Sequence, residues 1–269
     1  MRAALPDWAT DPAAANDPTW HLGEELQTTR TDLRKGNALV QSPTFIVDFI
    51  LDRTFDPAVE TFGLVNTTLI DPSCGTGNFL AATFMRITAG YLAMLQPFMP
   101  AGMELDERTR AAMARDVLRQ IAGVDIDPDC IDLARHRLSV LANQLAGLPD
   151  DDPDRWSVLV ACADSLLHGP DSDGALPADD HRCGDRDCRQ AMGILGRTYA
   201  AVVGNPPYIT AKDPAKNAAY RARYRTCHRS FSLAVPFREL MFGLAHRGAE
   251  EPAAVAPEQG VLDLDGVAS

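Results

Sequence analysis

The chain has 269 residues, 46% of them hydrophobic, which suffices for one substantial core and is too short for two large domains. No stretch reaches the roughly 18 apolar residues of a membrane span, and Met1 to Thr10 lacks the basic-then-apolar order of a secretory leader, so the chain reads as soluble and cytoplasmic. A formal net charge of -12 excludes a surface built throughout for nucleic acid, because phosphate binding draws on clustered Lys and Arg.

Residues 1–35 are rich in Asp, Pro, Ala and Thr without sustained periodicity and predict an irregular lead-in. Ser42-Pro43 ahead of Phe45, Ile46, Phe49 and Ile50 predicts an amphipathic helix to about Thr54. The β-branched and apolar run Asn66 to Ile70 reads as a strand entering a glycine loop, Asp71-Pro-Ser-Cys-Gly-Thr-Gly-Asn-Phe79, with a helix from Phe79 to about Leu95. A helix over Leu105 to about Gln120 leads to a strand, Ile121 to Ile126, and Pro128 opens the next helix. Trp156 to Cys162 reads as a third strand, Gly169 to about Gln190 as loop, and Tyr199 to Val203 as a fourth strand closing on Gly204-Asn-Pro-Pro-Tyr208. Residues 248–269 read as a disordered tail, leaving a core over 36–247.

Strands alternating with helices predict an α/β, doubly wound parallel sheet, with ligands beyond the carboxyl ends of the strands. The distinctive clusters all stand at those ends. The six cysteines are scattered and read as reduced thiols; His181, Cys183 and Cys188 match no common zinc spacing, and no metal is predicted.

In the glycine loop, Gly75 and Gly77 permit positive φ and close backbone approach at the start of a helix, and Asp71 and Cys74 flank that turn. No Gly-Lys-Ser/Thr follows, so this is not a triphosphate loop. Asp125 ends the second strand, where a carboxylate accepts the hydroxyls of a ribose; Asp127 is the nearby alternative. Asp164, past the third strand, reads as an acceptor for the exocyclic amine of a cofactor adenine, or as a helix cap.

Asn205-Pro206-Pro207-Tyr208 carries the chemistry. The exocyclic amine of a base is a poor nucleophile, because its lone pair is delocalised into the ring. A fixed amide oxygen on Asn205 and the Pro206 carbonyl would accept its two hydrogens and turn the nitrogen toward sp³ geometry. Consecutive prolines stiffen that turn, and the Tyr208 ring offers a stacking face for a base drawn out of a duplex. From Asn205 to Arg247 there are eight basic residues against two acidic, a local surplus that could face a phosphate backbone.

Asp71 to Leu80 followed by Asn205-Pro-Pro-Tyr208 resembles the adenine-N6 DNA methyltransferases with an N-terminal cofactor helix. Val203 to Asp213 with Cys227 to Phe237 is similar to the methyltransferase of phage-growth-limitation (BREX-type) defence systems. The resemblance spans about 36 to 247 and implies a methyltransferase fold, S-adenosyl-L-methionine as donor, DNA adenine as acceptor and a defence role. It also implies that Ser42 and Thr44, in the Ser42-Pro43-Thr44 segment, help hold the methionine part of the cofactor. Thr44 stands where that pattern has a second proline, and such enzymes continue into further strands and a target-recognition domain. The chain therefore reads as the N-terminal part of a longer enzyme, with a separate recognition chain or other defence subunits as partners. Methylation of a protein glutamine or of cytosine N4, and an inert remnant or piece of a split enzyme, are the alternative readings.

Overall fold

A computed structural model of the chain describes residues 5–10, 17–29, 41–100, 103–152, 154–169 and 184–246. Its strands are short and buried: β1 (Leu69–Asp71), β2 (Ile121–Asp125), β3 (Leu159–Cys162) and β4 (Ala201–Val202). They pair in parallel in the order β3-β2-β1-β4, with Leu69 opposite both Ile121 and Ala201. Successive side chains on a strand point to opposite faces. Leu69, Ile121, Val160 and Ala201 accordingly enter one hydrophobic core, and their neighbours Ile70, Ala122, Ala161 and Val202 meet the other.

The first core is covered by α3 (Thr44–Phe62), α4 (Asn78–Leu95), α5 (Glu107–Arg119) and α6 (Pro128–Ala146). The second is covered by α7 (Asp185–Leu195), α8 (Pro214–Arg223) and α9 (Ala234–Leu244). Aspartates cap three of these helices: Asp106 accepts from the Thr109 N–H, Asp127 from the Asp129 and Cys130 N–H groups, and Asp213 from those of Ala215 and Lys216. A parallel α/β sheet with helices over both faces is what strand–helix alternation predicts.

Three expectations of secondary structure are corrected. The lead-in is not irregular throughout: α1 (Asp7–Thr10) and α2 (Trp20–Thr29) lie within it. Trp8 is buried and its Nε1 donates to Gln144 at 2.8 Å, while Asp17 pairs with the buried Arg137. These partners stand more than a hundred residues away, so no local periodicity signals them. Helix α3 runs past Thr54 to Phe62, because Val47, Leu51, Phe55 and Ala58 continue one buried face, and it stops at Gly63 with φ 77. The stretch predicted as loop up to Gln190 contains the start of α7, whose Cys188, Ala191 and Leu195 pack inward.

Cys74, Cys130, Cys188 and Cys227 are buried and form no disulfide, whereas Cys162 is disulfide-bonded, contrary to the reading of reduced thiols. Among the described residues no group of His, Cys, Asp and Glu could hold a metal, and no helix is long and apolar enough to cross a membrane. His181, Cys183 and the 248–269 tail lie outside the described residues.

Candidate active site

The loops at the carboxyl ends of all four strands enclose one cavity. Its wall includes Ser42, Asp71, Cys74, Gly75, Asp125, Asp164 and Asn205, brought together from five separated stretches of sequence. The loop after β1 is held against β2: Cys74 N–H donates to the Val124 carbonyl at 3.1 Å, and Gly75 N–H donates to Asp125 Oδ2 at 2.8 Å. Gly75 has φ 51, a region that Cβ-bearing residues avoid. Close approach also needs Gly123, where a Cβ would stand 3.0 Å from Cys74 Sγ and 2.7 Å from Leu80 Cδ1.

Two carboxylates lie together on this floor. Asp71 is buried and accepts the Ser73 N–H at 2.9 Å. Desolvation lifts its carboxyl to about 7; the Ser73 N–H opposes that rise and the charge of Asp125 adds to it. Burial also raises Asp125, against the pull of the Asp127 and Gly75 N–H groups. Each Asp125 oxygen takes one of those N–H groups, which leaves further acceptor capacity on both. Asp127 lines the cavity too, but its side chain caps α6. The Cys74 thiol is pushed up by burial and then by both aspartates, so it is a neutral wall and no nucleophile.

Asn205 sits at the exposed rim of the cavity. Its Nδ2 donates to Ser42 Oγ at 3.3 Å, which leaves the amide oxygen to accept. Ser42 is buried, and its carbonyl accepts from Asn78 Nδ2 at 3.3 Å, so α3, the glycine loop and the Asn205 turn are tied at one point. Gly204 is required just before it, since a Cβ there would lie 2.8 Å from Asp71 Oδ1. Tyr208 is 65% exposed, an uncovered ring beside the rim.

Other singled-out residues fall outside the wall. Thr44 lies on a second cavity with Trp20 and Arg86, because the helix begins at Thr44 and carries it away from Ser42. Gly77 caps α4 with φ 85 and faces Ala134, where a Cβ would stand 3.1 Å away. Pro206 is half-buried behind Asn205. The basic stretch is partly turned inward: Lys216 pairs with Asp164, and Arg223 donates to the carbonyls of Leu167 and Gly169. Arg221 donates to the carbonyls of Cys227 and Arg229. Lys212, Arg225, Arg229 and Arg238 are exposed, and Arg247 lies outside the described residues.

Sequence reasoning missed Gln41, Asn78 and Tyr220 in the wall. Gln41 directly precedes Ser42 and Asn78 directly follows Gly77, so adjacency to the motifs was an available signal. Tyr220 lies on a helix of ordinary composition and carried none.

A cavity floored by a glycine loop and paired carboxylates, at the strand ends of a parallel sheet, lies where α/β proteins of this layout take their ligands. Residues 119–250 match the Eco57I restriction-modification methylase family. It is 37% identical over 256 residues to the adenine-specific methyltransferase PglX of Streptomyces coelicolor, covering 88% of this chain and 20% of that protein. The chain thus spans 20% of the length of the curated relative it matches. Among solved structures it is similar to the ATP-dependent Type ISP restriction-modification enzyme LlaBIII bound to DNA. The TM-score is 0.49 at 16% identity, over 82% of this chain and 16% of that one. It is also similar to the Type IIL restriction-modification enzyme MmeI in complex with DNA, with a TM-score of 0.43 at 13% identity over 90% of this chain and 32% of that one.

Proposed function

We propose that the chain is the cofactor-binding and catalytic part of a site-specific DNA methyltransferase that moves a methyl group from S-adenosyl-L-methionine to adenine N6 in phage defence. One observation carries this reading. Asn205, with its amide oxygen left free, lines the same cavity as Asp71, Gly75, Asp125 and Asp164.

The residues fit such a cofactor. Gln41 Oε1, on the cavity wall, is buried without a partner among the described residues and would accept from an ammonium. Asp71 supplies a carboxylate for the same positive end, and Asp125 retains acceptor capacity for ribose hydroxyls. Asp164 would take the adenine amine. When bound, the cofactor supplies an electrophilic methyl on a sulfonium. The chain's own part is to bind and orient: Asn205 Oδ1 and the Pro206 carbonyl accept the two amine hydrogens of the target base, and Ser42 holds the amide so that oxygen is presented. Tyr208 offers the stacking face for the extracted base. After attack the nitrogen is acidic and sheds its proton without a strong base.

The relative's printed activity, adenine-specific methylation, favours adenine over cytosine N4 or a protein glutamine. The 37% identity covers 20% of that relative, which favours a longer enzyme or a partner chain for reading DNA sequence. The test is calorimetry with S-adenosyl-L-methionine, followed by transfer of labelled methyl to adenine in duplex DNA. Saturable one-site binding is expected, with transfer by the wild type and none by Asn205→Ala at unchanged cofactor affinity. Unchanged transfer in that variant would overturn the assigned mechanism. A folded sample that binds no cofactor would favour the remnant reading.

A further inference from the structure

Asp164 is gripped by the protein itself. The Leu166 N–H donates to its Oδ1 at 3.1 Å. On Oδ2 two donors converge from α8: the Tyr220 hydroxyl at 2.6 Å and Lys216 Nζ at 3.3 Å. Asp164 and Tyr220 are both buried and both line the cavity, while Lys216 approaches from the outside with its side chain 31% exposed. The donors lie 52 and 56 residues beyond Asp164 in the chain, on the segment that follows the Asn205 turn.

An ionised carboxylate offers about four acceptor sites and no donor. The three contacts on Asp164 leave about one site, on Oδ1. A ligand edge seated against it must therefore present an N–H. A carbonyl in that place would set lone pairs against lone pairs and leave buried acceptors unpaired, at roughly 10- to 100-fold in affinity. The selection holds only while the carboxylate plane is fixed. Without the donors on Oδ2 the group turns about its last bond, and a water filling the gap can donate to a ligand carbonyl.

We propose that Tyr220 and Lys216 are specificity-determining positioning residues: by occupying Oδ2 they hold Asp164 as a single acceptor that selects a 6-aminopurine ligand over its 6-oxopurine counterpart. This rests on the cofactor reading above and adds two residues from α8 to it. The helix does not depend on the pair for its docking. Tyr224 donates to the Leu166 carbonyl at 2.9 Å, and Arg223 bonds the carbonyls of Leu167 and Gly169. Tyr220→Phe and Lys216→Met therefore remove the donors and keep the fold.

The experiment is calorimetric binding of S-adenosylhomocysteine and of S-inosylhomocysteine, its 6-oxo counterpart, to the full chain. Wild type is expected to prefer the amino form about 10- to 100-fold. Tyr220→Phe and Lys216→Met should each shrink that ratio several-fold, the double variant further, and Lys216→Arg should restore it. Asp164→Asn, which can donate as well as accept, should erase the preference. A structural role would weaken both ligands in parallel and leave the ratio unmoved, which overturns the proposal. So does a wild type that binds both forms equally. A wild type that binds neither fails earlier, by removing the cofactor reading on which the pair depends.

Discussion

Replacing Asp71 by Asn tests what burial of that carboxyl costs the fold. Asp71 is buried, and its carboxyl stands at about 7 against an ordinary 3.8, chiefly through loss of water. The gap of roughly 3 between folded and unfolded values corresponds to ~4 kcal/mol at most. Because the folded value is the higher one, folding favours the protonated acid. That stabilisation is complete below about 4 and is lost as pH rises through about 7. An amide in that place carries no charge at any pH and keeps an oxygen to accept the Ser73 N–H. Urea denaturation of both proteins should show the Asp71→Asn variant gaining on wild type by ~2–3 kcal/mol between about pH 5 and about pH 8, then holding level. A difference that stays constant over that window refutes the reasoning. The same charge makes binding of a cationic ligand tighten as pH rises through about 7 and release a proton. Calorimetry in buffers of different ionisation enthalpy reads that proton directly.

Asp125→Ala removes an acceptor and frees the Gly75 N–H that fixes the loop, so affinity for S-adenosyl-L-methionine should fall about 10- to 100-fold with little loss of fold, measured by calorimetry. Gly204→Ala drives a methyl to 2.8 Å from Asp71 Oδ1, and a cost of ~1–3 kcal/mol in thermal unfolding together with weaker cofactor binding is expected. Arg137→Met removes the guanidinium from Asp17 Oδ2 and also takes the donor from the Thr76 carbonyl and Asn78 Oδ1. It should destabilise by ~3–5 kcal/mol in denaturant, and Asp17→Asn should do so by less.

The legible parts of this protein were those written in local pattern. Short apolar runs ending in Asp71, Asp125 and Gly204 marked the strands, and their ends marked the cavity, because a parallel sheet places every strand's carboxyl end on one edge. Asp71, Gly75, Asp125, Asp164 and Asn205 were found that way. The lead-in was misread because what orders Asp17 is Arg137, and what seats Trp8 is Gln144. The surplus of the basic stretch was legible as charge but not as direction, and Lys216, Arg221 and Arg223 turned out to face the protein.

By itself the sequence determined which side chains are available and at which strand ends they stand, since strand, turn and helix signals act over a few residues and periodicity reports them faithfully. Only the tertiary structure decided what each group touches. It set Ser42 against Asn205, lifted the Asp71 carboxyl by burial, and brought Tyr220 and Lys216 onto Asp164. Those outcomes depend on distances and on exclusion of water between residues far apart in the chain, quantities that no local pattern carries.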